Sequence, residues 1–179
     1  LDGGFMHEDA AESFVEQFGT DALGIVVPIM RDRKENPSSR GRAAFVAGKY
    51  RDPELTQDII NVIEQTLQPN MGPSGLAGIA YAIEALGWAG DKRAMEALKT
   101  LAGDAFWEQR EPTPYKLEPE DAPRIQRLLR QRAILALGRA PDGAGIDALQ
   151  ELPRDTGEVS DAIDESIADA RLRRWGLAN

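Results

Sequence analysis

A six-residue string, Ala82-Ile83-Glu84-Ala85-Leu86-Gly87, returns 51 residues later as Ala133-Ile134-Leu135-Ala136-Leu137-Gly138. The register holds beyond the string without a gap. Ala89 meets Ala140, Asp91 meets Asp142, Met95 meets Ile146, Leu98 meets Leu149, Leu101 meets Leu152 and Asp104 meets Asp155. A fainter copy lies 39 residues upstream, where Ala43, Gly48, Asp52, Ile59 and Val62 meet Ala82, Gly87, Asp91, Leu98 and Leu101. Such a period marks a supersecondary unit that buries its apolar face against its neighbours, so the repeat limits the fold more than composition does.

Inside and around these units, apolar residues recur at helical spacing. The stripes are Phe14, Val15 and Phe18; Leu23, Val26, Val27 and Met30; Ala43, Ala44, Val46 and Ala47; Ile59, Ile60, Ile63 and Leu67; Leu76, Ile79, Ile83 and Leu86. Met95, Leu98 and Leu101 come next, then Ile125, Leu128, Leu129 and Leu135, then Ile146, Leu149 and Leu152, and last Ile163, Ile167, Ala170 and Trp175. The spacing predicts about nine helices and an all-α chain. Plentiful alanine and few alternating β-branched residues favour the same reading.

Punctuation residues fit the pattern. Asp52-Pro53-Glu54 makes a helix start, with a capping carboxylate, a first-turn proline and an acidic side chain at the positive helix end. Asp91 and Asp142 are expected to cap the Met95 and Ile146 helices in the same way. Gly48, Gly87 and Gly138 are expected to stop their helices. That would leave Trp88 in the turn, with Lys49 and Arg139 at the matching positions of the other units.

The pattern A-x-x-A-L-G-x-x-x-D, followed by an aliphatic helix and a closing Asp as in Ala82 to Asp104, resembles the HEAT-like repeats of α-solenoids, including the short kind found in phycobilisome lyases. The resemblance covers Arg42 to Asp155. It implies antiparallel helix pairs stacked into a curved rod, an α-solenoid or superhelix, with the second helices lining a concave face. Residues 1–179 then form a single HEAT-like repeat domain. The spacer between the second and third units is longer, and its prolines 112, 114 and 119 predict an insertion loop over 105–120 that holds Phe106, Trp107 and Tyr115.

Reactive chemistry is sparse. With no cysteine, thiolate catalysis, Cys-ligated zinc and disulfides are excluded. The only histidine, His7, sits among Glu8, Asp9 and Glu12 as in a charged helix start, without a second histidine for a metal. No G-x-S-x-G elbow accompanies it. Gly72-Pro73-Ser74-Gly75 and Gly143-Ala144-Gly145 lack a P-loop lysine and read as turns. No catalytic residue, metal site or cofactor is expected.

A formal net charge of -9 opposes nucleic acid as a partner, and no apolar run reaches the ~20 residues that a membrane-spanning helix needs. A cytoplasmic location is favoured; an exported mature chain stays open, as does a leader or upstream domain before Leu1. Candidate binding residues are the aromatics Trp88, Phe106, Trp107 and Tyr115 and the row Arg124, Arg127 and Arg130, because aromatic and arginine side chains dominate interface energetics. Each also has a structural role open to it: aromatics can cover core, and arginines can pair with acidic neighbours. The leading expectation is a non-enzymatic scaffold that binds a protein or peptide in its groove or through the insertion. The alternative, implied by the resemblance, is a protein that handles a small ligand in the manner of a bilin lyase.

Overall fold

Three helices begin with proline in the first turn, preceded by Asn36, Asp52 or Gly72. Asn36 and Asp52 accept backbone N–H bonds from Ser38 and Glu54, both at 2.9 Å, so two of these starts have their orphan donors met by a side chain. The computed structural model describes residues 8–67, 72–108, 122–154 and 157–175. Its described residues form ten α-helices and no strand. These are α1 (Glu8–Phe18), α2 (Asp21–Arg31), α3 (Pro37–Gly48), α4 (Pro53–Thr66), α5 (Pro73–Ala89), α6 (Lys92–Ala102), α7 (Asp104–Glu108), α8 (Ala122–Arg139), α9 (Ile146–Glu151) and α10 (Glu158–Arg174). The helix beyond the expected nine is α7, a single turn where a loop was expected.

Helix contacts follow chain order. One series runs α1 to α3 to α5 to α8 to α10, and a second runs α2 to α4 to α6 to α9. Within each step the two series meet as α1 with α2, α3 with α4, α5 with α6 and α8 with α9. A single apolar cluster threads through them from Ala11 to Ala170.

The repeated glycines lie at or within three residues of their helix ends, but none takes the left-handed conformation of a stop. Gly48 is the last residue of α3, and Gly87 and Gly138 lie inside α5 and α8. The true stop of α5 is Gly90, at φ 68°, whose N–H reaches the Leu86 carbonyl, so Trp88 stands on the last helical turn. The repeated glycines instead let backbones touch. A Cβ on Gly48 would lie 2.5 Å from the Ala85 carbonyl oxygen, one on Gly87 would lie 2.8 Å from that of Ala136, and one on Gly138 would lie 2.8 Å from Ser166 Cβ. Gly41 faces Gly78 as Gly48 faces Ala85, seven residues on in both helices, so α3 and α5 run parallel and α4 returns between them. At Gly48 and Gly87 the glycine of one unit thus abuts the alanine of the next unit's own Ala-Leu-Gly, and at Gly138 Ser166 of α10 takes that place.

Asp91 meets its expectation and Asp142 does not. The Asp91 carboxylate accepts the N–H groups of Arg93 and Ala94 at 2.8 and 3.1 Å, and also accepts the hydroxyl of the fully buried Thr56 on α4. Asp142 lies at φ 54° in a 3-10 turn, Pro141–Gly143, and α9 begins at Ile146 after Gly145 with no side-chain cap. Gly143-Ala144-Gly145 stands where Lys92-Arg93-Ala94 form the first turn of α6, and this glycine-rich replacement moves the helix start past the aspartate.

Two buried arginines join the series at equivalent places, eight residues before Gly48 and Gly138. Arg40 Nε donates to the Met30 carbonyl at 3.0 Å in the last turn of α2, and its Nη2 donates to Gln65 Oε1 at 2.7 Å. Arg130 Nε donates to the Ala102 carbonyl at 3.1 Å, the end of α6, and its Nη1 pairs with Asp104. Each cation therefore meets the orphan carbonyls and the negative end of a preceding helix. Burial, then repulsion from Arg33, lowers the Arg40 pKa against the attraction of Asp32, yet a guanidinium stays charged. The middle unit has Ile79 at this place, fully buried.

Two stability predictions follow from these contacts. Gly48→Ala should lose about 1–2 kcal/mol in urea unfolding, since steric overlap outweighs the gain in helix propensity. Gly24→Ala, on α2 with nothing within 4 Å of the added methyl, should gain about 0.5–1 kcal/mol. Asp91→Ala should cost about 2–3 kcal/mol, because it removes a cap and leaves Thr56 buried without its acceptor, whereas Asp52→Ala should cost about 1 kcal/mol. Equal losses at the two aspartates would show that the Thr56 bond contributes nothing.

Candidate functional site

Lys49, Trp88 and Arg139 each follow the glycine of their unit, and the glycine contacts bring these positions alongside one another. Lys49 Nζ stands 3.3 Å from the Trp88 ring centroid and 3.1 Å from Glu12 Oε1. The Lys49 side chain is only 7% exposed, so its cation–π contact is shielded from water and belongs at the stronger end of the range. On the α8 side, Trp88 and Arg139 line one pocket of about 200 Å³, together with Glu84, Gly87, Leu128, Gln131, Arg132, Leu135 and Ala136. A second pocket of about 290 Å³, bounded by Glu12, Val15, Glu16, Lys49 and Arg51, has Trp88 as its far wall.

The expected arginine row divides. Steps of three residues fall short of a 3.6-residue turn, so a row at 124, 127 and 130 winds round the helix instead of lying on one face. Arg124 and Arg127 are exposed, Arg127 with Glu158 at 3.9 Å, while Arg130 is turned into the core against Ala102 and Asp104. The residues sharing a stripe with Arg124 are Leu128, Gln131, Arg132, Leu135 and Arg139. Arg132 Nη1 binds Glu84 across the α5–α8 seam.

The aromatics divide as well. Trp107 is 2% exposed, and its Nε1 donates to the Leu101 carbonyl at 2.7 Å, so the indole closes the end of α6. Phe106 is half-buried and meets Trp107 edge-on at 4.9 Å between centroids. Both belong to the packing of α7. Tyr115, the rest of the 105–120 insertion beyond Glu108, and His7 lie outside the described residues. Of the expected binding residues, Trp88 lines the α5–α8 pocket, Arg124 and Arg127 are exposed further along α8 without lining it, and Phe106, Trp107 and Arg130 sit together in a separate structural corner.

Leu128 and Leu135 were read as core and are 40% and 41% exposed. The buried stripe of α8 is Ile125, Leu129, Ala133, Ile134, Ala136, Leu137 and Ala140 next to its end. A helix rich in leucine and alanine satisfies helical spacing on more than one face, so periodicity alone chose the wrong leucines. The 90-residue offset between Arg40 and Arg130, which is the two repeat offsets together, was the signal that could have flagged both as structural.

Among the described residues no group of three or more His, Asp or Glu side chains could hold a metal ion. No described helix is long and apolar enough to cross a membrane. The α5–α8 pocket is lined by apolar side chains, an indole and guanidinium groups.

A double-mutant cycle tests the core of the site. Lys49→Met combined with Trp88→Leu should show a coupling free energy of about 1–2 kcal/mol in urea unfolding; additive losses would show that the ammonium and the indole act independently.

Comparison with protein-family models, with curated proteins and with solved structures finds no match to this chain.

Proposed function

We propose that the chain is a non-enzymatic α-solenoid of HEAT-like helix pairs and that its α5–α8 face binds a protein or peptide. The solenoid reading is supported by contacts that pass in chain order along two helix series, and by glycine junctions repeated between successive units. In repeat proteins of this kind each unit touches its neighbours, and the extended surface so made serves for binding. The pockets found here are lined from α1, α3, α5 and α8, the first helices of their pairs, whereas the resemblance assigns the concave face to the second helices.

The observation that carries the function is the trio of Trp88, Leu128 and Leu135 around one pocket. Of the six exposed large apolar residues among the described ones, these two leucines alone line either pocket, and there they stand beside a half-buried indole. An indole and two leucines around one hollow, with arginines beside them, have the residue types that dominate interface energetics. Sites for small molecules and cofactors occupy about 300–1,000 Å³, and the two pockets that Trp88 lines, at about 200 and 290 Å³, suit an inserted side chain.

A photo-crosslinking residue at Leu135 should capture a discrete partner from the native lysate. The same residue at Leu172, an exposed leucine of α10, should not. Crosslinking from both positions alike, or from neither, would refute the α5–α8 face as the binding surface.

A further inference from the structure

We infer that the occupant of the α5–α8 face is an acidic amphipathic helix with aliphatic side chains seven residues apart. This inference rests on the reading of that face as a binding surface and adds the chemistry of the partner.

The charge distribution comes first. The chain carries 30 acidic and 21 basic side chains, yet α8 holds five arginines and no Asp or Glu. The one charged residue of α5 is Glu84, and it is paired with Arg132. With Arg130 in the core and Arg127 turned towards Glu158 of α10, Arg124 and Arg139 remain exposed on the stripe of the two leucines. A positive strip on a negative molecule is a local feature. Charges more than about 8–10 Å apart are screened at physiological salt, so an approaching chain meets the strip rather than the net charge. Glu12 and Glu16 bound the face on the far side of Trp88, which puts the partner's acidic residues on its α8 side.

Spacing comes second. Leu128 and Leu135 are two helical turns apart, about 10 Å along α8, with Gln131 and Arg132 between them. A helix laid along the α5–α8 furrow presents its own i, i+7 side chains at the same interval, and an apolar stripe in a groove is a recurrent mode of peptide recognition. Carboxylates flanking that stripe would reach Arg124 and Arg139 at its two ends. Guanidinium groups favour such partners through bidentate geometry. An extended strand, whose same-face side chains recur about every 6.6 Å, fits the ~10 Å interval of the two leucines less well.

The test uses the full chain and three fluorescent helical peptides read by anisotropy. One has leucines every seven residues flanked by glutamates, the second replaces glutamate with lysine, and the third replaces leucine with alanine. The glutamate–leucine peptide should bind saturably, weaken with salt, and weaken roughly tenfold or more on Leu128→Ala/Leu135→Ala, a pair of exposed truncations. Arg124→Glu/Arg139→Glu should move preference to the lysine peptide. Circular dichroism checks that each variant stays helical.

Equal binding of the lysine peptide to the unaltered chain, lost on Leu128→Ala/Leu135→Ala, would overturn the acidic assignment and leave the face a binding surface. Absence of saturable binding by the glutamate peptide would overturn the inference, while the crosslinking at Leu135 still decides the broader reading. Tighter retention of a single-stranded oligonucleotide or of phosphatidylserine vesicles than of the glutamate peptide would also overturn it, by assigning the arginines to phosphate.

Discussion

Backbone contact through glycine sets the geometry on which the rest of the molecule depends. At Gly48, Gly87 and Gly138 the next helix lies so near that a single methyl group would overlap it. Close approach fixes register as well as distance, because sliding one helix along the other would drive a side chain into the space that the glycine leaves. Larger residues then fill the remaining interface. Tyr81, Ile83, Leu86, Leu129, Ile134 and Leu137 are almost wholly buried around these junctions. Their fit is a consequence of the junctions, and dense interiors tolerate little error in either.

Polar groups tie the second helix series to the first and also link its own members. Arg40 and Arg130 reach back to the ends of α2 and α6, and Thr56 on α4 reaches forward to the Asp91 that starts α6. These bonds satisfy helix ends that would otherwise bury unpaired carbonyl or N–H groups. They also couple non-adjacent segments, so a helix end cannot fray without freeing a buried side chain in another unit. The middle unit substitutes Ile79 for arginine and relies on apolar packing there. The polar ties are thus optional for a unit in a way that the glycine contacts are not.

Much of the architecture was legible in the repeat itself. Helical class, element positions and the Asp91 cap follow from spacing and short-range chemistry, which depend on residues close in sequence. The glycines were located correctly and given the wrong role, because a helix-stopping glycine and a helix-packing glycine look alike until the partner helix is known. Gly90, with only Ala89 between it and Trp88, was the actual stop. The same limit applies to α8. Whether Leu128 or Leu129 faces the core depends on where α5, α6 and α10 sit, and Arg130 looks like a surface charge until the end of α6 is placed beside it. Trp88 was recognisable as the residue in its unit that stacking does not require. Its neighbours Lys49 and Arg139 occupy the same repeat position, and that placement in one row became visible only through the inter-helix contacts.

Trp88 is a wall common to two cavities, and a shared wall has a thermodynamic consequence. An occupant that displaces the indole on the α8 side changes the room left beside Glu12 and Lys49, and the reverse holds equally. Whatever free energy one cavity exerts on the other is returned in the same amount. The Lys49 ammonium is the spring in this arrangement, since moving the ring away from it forfeits the cation–π contact. One side chain thereby borders two small hollows, so any displacement of the indole would be felt in both.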